Sequence, residues 1–440
     1  MFFLLFVVLF ILLTAINRAV FGRQIRITDA FNAGWCFAAG ATSAGVLGFD
    51  PIGTGVCVMA IVTAVVLNLV YILLCKCDKD LVAPTSFDRR SFEPTVQYPA
   101  LIIVHAACYL YCFPYLRSAL SILAAGGFKA LRAVAYVASD ELATSTGELL
   151  LFQWIVSPVF SATILITVVS LVLGQKKSWP LMIFMALDVA VYTLIFGGRG
   201  HLVKIISFSA ITLLFFEGRR LMAFLRARRR LLLMVLAAFL LLAGLTVSRS
   251  LAGMNVIENI YSYYTGGFVY LDKILEAHPV GEYYLWGQAT LGFIVCVFWM
   301  VAKIFFGVDY AAADHRITQL TSVYYMISPT TKLNAVTTMM YPFLADFGYA
   351  GLIIGPAFYA VIVMLAERHF KKHGTLSSLC VMVFVFHTLI LSTLNYSFYK
   401  PDTLFIILFT MLFTSKISLR SGVLTLTPAT PAVRTADSID

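Results

Sequence analysis

Two groups of side chains in this sequence are equipped for chemistry. The first is cationic: Arg117, Arg199, Lys204 and Arg249. Gly197-Gly198-Arg199-Gly200-His201-Leu202-Val203-Lys204 opens an apolar run, while Arg117 and Arg249 lie near the ends of two others. An arginine fork matches phosphate oxygens with two parallel hydrogen bonds. A charge about one turn inside lipid costs several kcal/mol unless it snorkels or is paired. These cations therefore either converge on an anionic ligand or reach lipid phosphates and nearby carboxylates.

The second group is aromatic and acidic. Residues 255–275 contain Tyr263, Tyr264 and the pair Gly266-Gly267, which permits a tight turn. Glu276, His278, Glu282, Tyr283, Tyr284 and Trp286 follow. Aromatic rings cover the apolar faces of pyranoses, and carboxylates accept hydrogen bonds from their hydroxyls. An interfacial aromatic belt accounts for the Tyr and Trp but not for the carboxylates and histidine among them.

The elements that carry these groups follow from composition. Of 440 residues, 60% are hydrophobic and only 12% charged, against roughly 45–50% and 25% in soluble domains. The formal charge is +10, but so few charges on so apolar a chain cannot cover a basic soluble domain. A soluble enzyme, a disordered chain and a nucleic-acid module are excluded.

A spanning helix needs roughly 17–25 mainly apolar residues. Runs of that kind lie near 1–16, 29–48, 52–74, 99–123, 151–173, 180–196, 202–216, 231–247, 347–366, 376–394 and 403–415. The expected fold is an all-α polytopic membrane protein with about eleven (ten to twelve) transmembrane helices. Cytoplasmic loops carry the Lys and Arg excess. Arg219, Arg220, Arg226, Arg228, Arg229 and Arg230 between two runs fix the orientation, and Arg368, Lys371 and Lys372 agree with it.

Both ends of segment 248–346 must then face outside, so the apolar run 291–306 reads as a re-entrant or interfacial helix. The expected organisation is a bundle of about eight helices over 1–247 and a large external segment over 248–346. Transmembrane helices follow over 347–415, and 416–440 form a disordered cytoplasmic tail. The first run lacks a preceding positive region and reads as an anchor, not a cleaved signal.

The eight cysteines sit mostly in apolar runs, and Cys75-Lys76-Cys77 has no partner pair. No HExxH or Walker A pattern occurs. Neither a metal site nor a cofactor is expected.

Three stretches carry a family resemblance: Phe196-Gly-Gly-Arg-Gly-His201, Tyr263-Tyr-Thr-Gly-Gly-Phe-Val-Tyr-Leu-Asp272, and the segment from Asn334 through Asp346-Phe-Gly348 to Gly351. With their order along the chain, they make the sequence resemble the Wzy-type O-antigen polymerases, the oligosaccharide repeat-unit polymerases of bacterial envelopes. The resemblance covers about a tenth of the chain. It implies a GT-C-like membrane fold with one long periplasmic loop, in the bacterial inner membrane, with the active site facing the periplasm. It implies an inverting, metal-independent glycosyltransferase that joins repeat units carried on undecaprenyl pyrophosphate. Its partners would be those lipid-linked glycans, membrane lipids and a chain-length regulator, and no nucleic acid.

Such chemistry assigns roles. Pyrophosphate leaving a sugar C1 develops negative charge, which Arg199 and Arg249, then Arg117 and Lys204, would stabilise. A general base must take the proton from the attacking hydroxyl, and Glu258, Asp272, His278, His315 and Asp346 are unranked candidates. Asp346, just before a helix, equally suits a cap. Tyr263, Tyr264, Gly266, Gly267 and Asn334 are the sugar-binding candidates. The rivals are an O-antigen ligase and a lipid-linked oligosaccharide flippase or transporter. Transporters usually show internal repeats and short loops, and neither is visible here.

Overall fold

The structure, a computed structural model, describes residues 2–22, 24–78, 81, 96–137, 150–174, 178–196, 198–217, 229–247, 256–308, 313–329, 331–420 and 423–428. It is 83% helical, the outcome expected where backbone groups must be satisfied within each apolar segment. The helices are α1 Phe2–Phe21, α2 Ile27–Ser43, α3 Thr54–Cys77, α4 Tyr98–Val137, α5 Ser157–Leu173, α6 Trp179–Phe196, α7 Gly200–Glu217 and α8 Arg229–Val247. They continue with α9 Val256–Ala277, α10 Gly292–Phe306, α11 Ala313–Thr321, α12 Met340–Phe347, α13 Gly351–His373, α14 Leu376–Ile390 and α15 Asp402–Thr414. Two small antiparallel pairs complete the chain: β1 Tyr325–Met326 with β2 Lys332–Leu333, and β3 Ser415–Arg420 with β4 Val423–Pro428.

Among the described residues, seven helical stretches are long and apolar enough to cross a membrane. They are Phe2–Phe21, Thr54–Cys77, Tyr98–Gly127, Phe152–Leu173, Trp179–Phe196, Met340–His373 and Leu376–Thr393. This is the make-up of a multi-pass membrane protein. Three further expected spans fall on the shorter apolar helices Gly200–Leu214, Leu232–Leu245 and Asp402–Thr414. The run near 291–306 is likewise a short helix.

The remaining expected span, 29–48, is α2, a 17-residue helix that ends at Ser43. Its first two turns hold Thr28, Asp29 and Asn32 buried against neighbours. After α15, β3 and β4 pair from Ser415↔Pro428 to Arg420↔Val423, within and just before the expected tail 416–440. Apolar residues alternate with polar ones in SKISLR and VLTLTP, the period-two pattern of a strand pair. Residues 429–440 lie outside the described residues.

The chain forms two compact units. The first comprises Met1–Pro84, Ser250–Leu365 and Val385–Leu404. In it α1, α2 and α3 pack together, and α9 lies against α2 and α3. Trp35 is fully enclosed, its indole N–H donates to the Ala60 carbonyl at 3.0 Å, and Phe268 meets its ring edge-on. Asn32 and Asn68 exchange two amide hydrogen bonds of 2.9 and 2.7 Å between α2 and α3. The expected turn at Gly266-Gly267 is absent; both lie inside the continuous helix α9. A Cβ at Gly267 would strike the Thr393 carbonyl oxygen, and one at Gly266 would strike the Leu333 side chain. These glycines permit close packing.

The second unit comprises Thr85–Arg249, Ala366–Phe384 and Phe405–Asp440. Here α5 packs on α6, α7 and α8, and α4 packs on α6. Every residue from Pro158 to Val172 is buried, the hydroxyls of Ser161, Thr163, Thr167 and Ser170 among them. Gly174, in the left-handed region, closes α5 with its N–H on the carbonyls of Ser170 and Leu171.

Candidate functional site

The first unit holds the acid–base candidates. Helix α9 ends at Ala277, and the His278 N–H still donates to the Ile274 carbonyl at 2.8 Å. The chain then turns, with the Glu282 N–H on the Pro279 carbonyl at 3.1 Å. This folds Glu282 back onto His278, whose Nδ1 lies 3.0 Å from Glu282 Oε2. An ionised carboxylate only accepts, so Nδ1 carries the hydrogen and the neutral ring keeps its lone pair on Nε2. Both side chains are partly exposed, at 29% and 48%, so the pair is open to a substrate. A histidine oriented by a carboxylate in this way is the arrangement of a general base.

Next to this pair, the Tyr283 and Tyr341 hydroxyls lie 2.6 Å apart. The Arg316 guanidinium, from α11, lies 4.8 Å from the Tyr283 ring centre. Burial pushes the Tyr283 phenol up, its bond to Tyr341 opposes this, the Glu282 charge adds to it and Arg316 opposes it. Tyr283 is therefore a proton donor, not an anion, near neutrality. Leu285 and Trp286 donate their N–H groups to the carbonyls of Ala345 and Asp346. This leaves Tyr284 and Trp286 outward, 45% and 77% exposed, with ring centres 5.5 Å apart. Trp286 has φ of +53°, a backbone conformation costly for a bulky residue and characteristic of functional loops.

The other base candidates are placed differently. Asp346 is fully buried. Its carboxylate accepts the Ala289 N–H at 3.0 Å, the Thr290 N–H at 2.5 Å and the Thr290 hydroxyl at 2.6 Å. It lies inside α12 and ties down the backbone that leads into α10, not the start of the helix that follows it. Asp272 accepts the Gly53 N–H at 2.8 Å, at the residue that caps α3. Glu258 sits in the first turn of α9. His315 is exposed on α11, where its own N–H bonds the Asp314 carboxylate at 2.8 Å.

Of the sugar-binding candidates, Tyr263 and Tyr264 project from α9 and are partly buried. The Tyr264 hydroxyl lies against Gly34 of α2. Gly266 and Gly267 are packing positions. Asn334 bonds the Ser322 carbonyl at 3.3 Å.

The cationic candidates belong to the second unit. Arg199 directly precedes α7 and is partly buried. Lys204 lies in the first turns of α7, where its ammonium donates to Ser161 Oγ at 2.6 Å. Arg117 is exposed on α4. Arg249 lies outside the described residues.

Sequence reasoning missed Arg316 and Tyr341 as parts of a site. Tyr341 meets Tyr283 across 58 residues, so no local spacing joins them. The available signal was that Arg316 is a cation in the segment expected to be external.

The fold defines the class plainly: a predominantly helical protein with several membrane-length apolar helices. Compared with protein-family models, curated proteins and solved structures, the chain matches none of them.

Proposed function

We propose that the protein is a membrane glycosyltransferase that polymerises undecaprenyl-pyrophosphate-linked oligosaccharide repeat units at the periplasmic face of a bacterial inner membrane. The reading rests on one observation above the rest: the His278–Glu282 pair, partly exposed beside Tyr283, Arg316 and the outward rings of Tyr284 and Trp286. Glycosyl transfer needs a base for the acceptor hydroxyl, an aromatic surface for sugar rings, and cations where pyrophosphate departs. The first two needs are met by side chains of segment 278–286. For the third, the cation beside this segment is Arg316, 4.8 Å from the Tyr283 ring centre.

In this scheme Nε2 of His278 takes the proton of the attacking hydroxyl, while Glu282 holds the ring and stabilises the imidazolium that forms. The hydroxyl oxygen attacks C1 of the donor sugar, and the C1–oxygen bond to pyrophosphate breaks with inversion. Undecaprenyl pyrophosphate leaves.

The test is His278→Gln, made in cells lacking the native gene and in purified protein supplied with lipid-linked repeat units. A positioned general base contributes about 100-fold or more, so long surface polysaccharide should vanish while the protein stays inserted. Single repeat units should persist on the lipid carrier. Normal chain-length ladders in His278→Gln would overturn the assignment.

A further inference from the structure

The second unit contains a polar interior that glycosyl transfer does not use. His105 on α4 is wholly buried. Its Nδ1 lies 2.8 Å from the Leu101 carbonyl oxygen, one turn back, and because a carbonyl only accepts, Nδ1 bears a hydrogen. Its Nε2 lies 3.2 Å from Asp188 Oδ2 on α6 and 3.1 Å from Thr163 Oγ1 on α5. Asp188 is equally buried, and its Oδ1 accepts the Tyr109 hydroxyl at 2.7 Å. The Thr163 hydroxyl is placed to donate to the Val159 carbonyl at 3.0 Å.

The hydrogens around the pair can be counted. Tyr109 spends its hydrogen on Oδ1, and Nδ1–H is spent on Leu101. With a neutral imidazole and an ionised carboxylate, the Nε2···Oδ2 contact would set two lone pairs against each other. Turning the Thr163 hydroxyl onto Nε2 leaves the carboxylate oxygen still facing that nitrogen with no hydrogen between. The contact is a hydrogen bond only if the pair holds one more proton, as imidazolium and carboxylate or as imidazole and carboxylic acid.

The surroundings offer no other compensation. Phe160 of α5, Phe184 of α6 and Phe413 of α15 pack around the imidazole. On α4 the neighbouring titratable groups are Tyr109 and the buried thiols Cys108 and Cys112. Among the described residues, no Lys or Arg pairs with Asp188.

Other buried polar groups lead away from the pair in both directions. Thr163, Thr167 and Ser170 share one face of α5. Thr167 Oγ1 lies near the carbonyls of Thr163 and Leu181, and Ser170 Oγ is buried without a protein partner. Toward the start of α5, Ser161 receives the Lys204 ammonium. His201 of α7 is 1% exposed, and neither of its ring nitrogens has a protein partner. Phe160 lies between the two histidines, its ring centre 6.4 Å from His201 and 6.2 Å from His105.

We infer that His105 and Asp188 form a membrane-embedded proton-binding site, loaded and unloaded along this file of buried hydroxyls and histidine on α5 and α7. The ligand is the proton itself. Helices α4, α5 and α6 all belong to membrane-length stretches, where buried ionisable pairs mark proton relays. Gain or loss of the proton changes the bond between α4 and α6, so protonation is coupled to the packing of this unit. This inference stands apart from the glycosyltransferase reading.

Infrared spectroscopy of the full chain in lipid nanodiscs, titrated with pH, tests it. The wild-type difference spectrum should carry bands from both the Asp188 carboxyl and the His105 ring, with a single midpoint. Asp188→Asn should lose the carboxyl band and His105→Gln the ring band. Tyr109→Phe keeps the packing but removes the hydrogen bond that favours the carboxylate. Its midpoint should rise by about one pH unit. The site is overturned if the wild-type spectrum contains neither band, or if Tyr109→Phe leaves the midpoint unmoved.

Discussion

The Asp346 carboxylate grips Thr290 twice, through its backbone N–H at 2.5 Å and its side-chain hydroxyl at 2.6 Å. The carbonyl of the same threonine accepts the Tyr396 hydroxyl at 2.9 Å. One residue at the entrance to α10 is thus held by two others more than fifty residues away in sequence. The arrangement holds the far end of the segment that begins at His278.

Removing that grip should cost stability before it costs chemistry. Asp346→Ala leaves the Ala289 and Thr290 N–H groups buried without an acceptor, at about 1–3 kcal/mol each. Thermal unfolding in detergent should show a large drop in midpoint. Asp346→Asn retains one accepting oxygen and should lose less. A carboxylate acting as the base would give the opposite result, a fully stable and inactive Asp346→Asn protein.

The paired glycines of α9 make a second prediction. Gly267→Ala sets a methyl against the rigid Thr393 carbonyl oxygen, so backbone must move, at about 1–3 kcal/mol. Gly266→Ala meets the end of the Leu333 side chain, which can rotate aside, and should be milder. Unfolding midpoints of the two variants will rank them. Equal and small losses would contradict the close approach of α9 to Thr393.

Tyr283 gives a prediction about pH. Its phenol is pushed above the ordinary value by burial. The folded protein therefore holds this proton after the unfolded chain has lost it. Stability is full below the unfolded phenol value, about 10, and falls as pH rises toward the folded one. Tyr283→Phe removes this contribution, so its stability should decline less on the alkaline side. Parallel alkaline profiles for the two proteins would contradict it.

The helices were legible because apolar runs in lipid have one backbone solution. What escaped was whatever depended on partners distant in sequence. Gly266-Gly267 is a turn signal locally, and only Thr393 and Leu333 make it a packing surface. His105 and Asp188 lie 83 residues apart, in runs read as plain spans. His278 stood among five equivalent base candidates until the turn at Pro279 brought Glu282 to it. In the expected tail 416–440, the alternation in 415–420 and 423–428 is short, and only the pairing of the two segments makes them β3 and β4.

The amide exchange between Asn32 and Asn68 bears on how the chain is made. Alone in hydrocarbon, α2 would expose Asp29 and Asn32 at a penalty that its short apolar surface cannot offset. Asn17 of α1 bonds Thr28 and Asp29, and Asn68 of α3 satisfies Asn32. Helix α2 is thus no independent unit of insertion. It settles only as the middle member of a trio, and a nascent chain that has not yet delivered α3 holds an unfinished assembly.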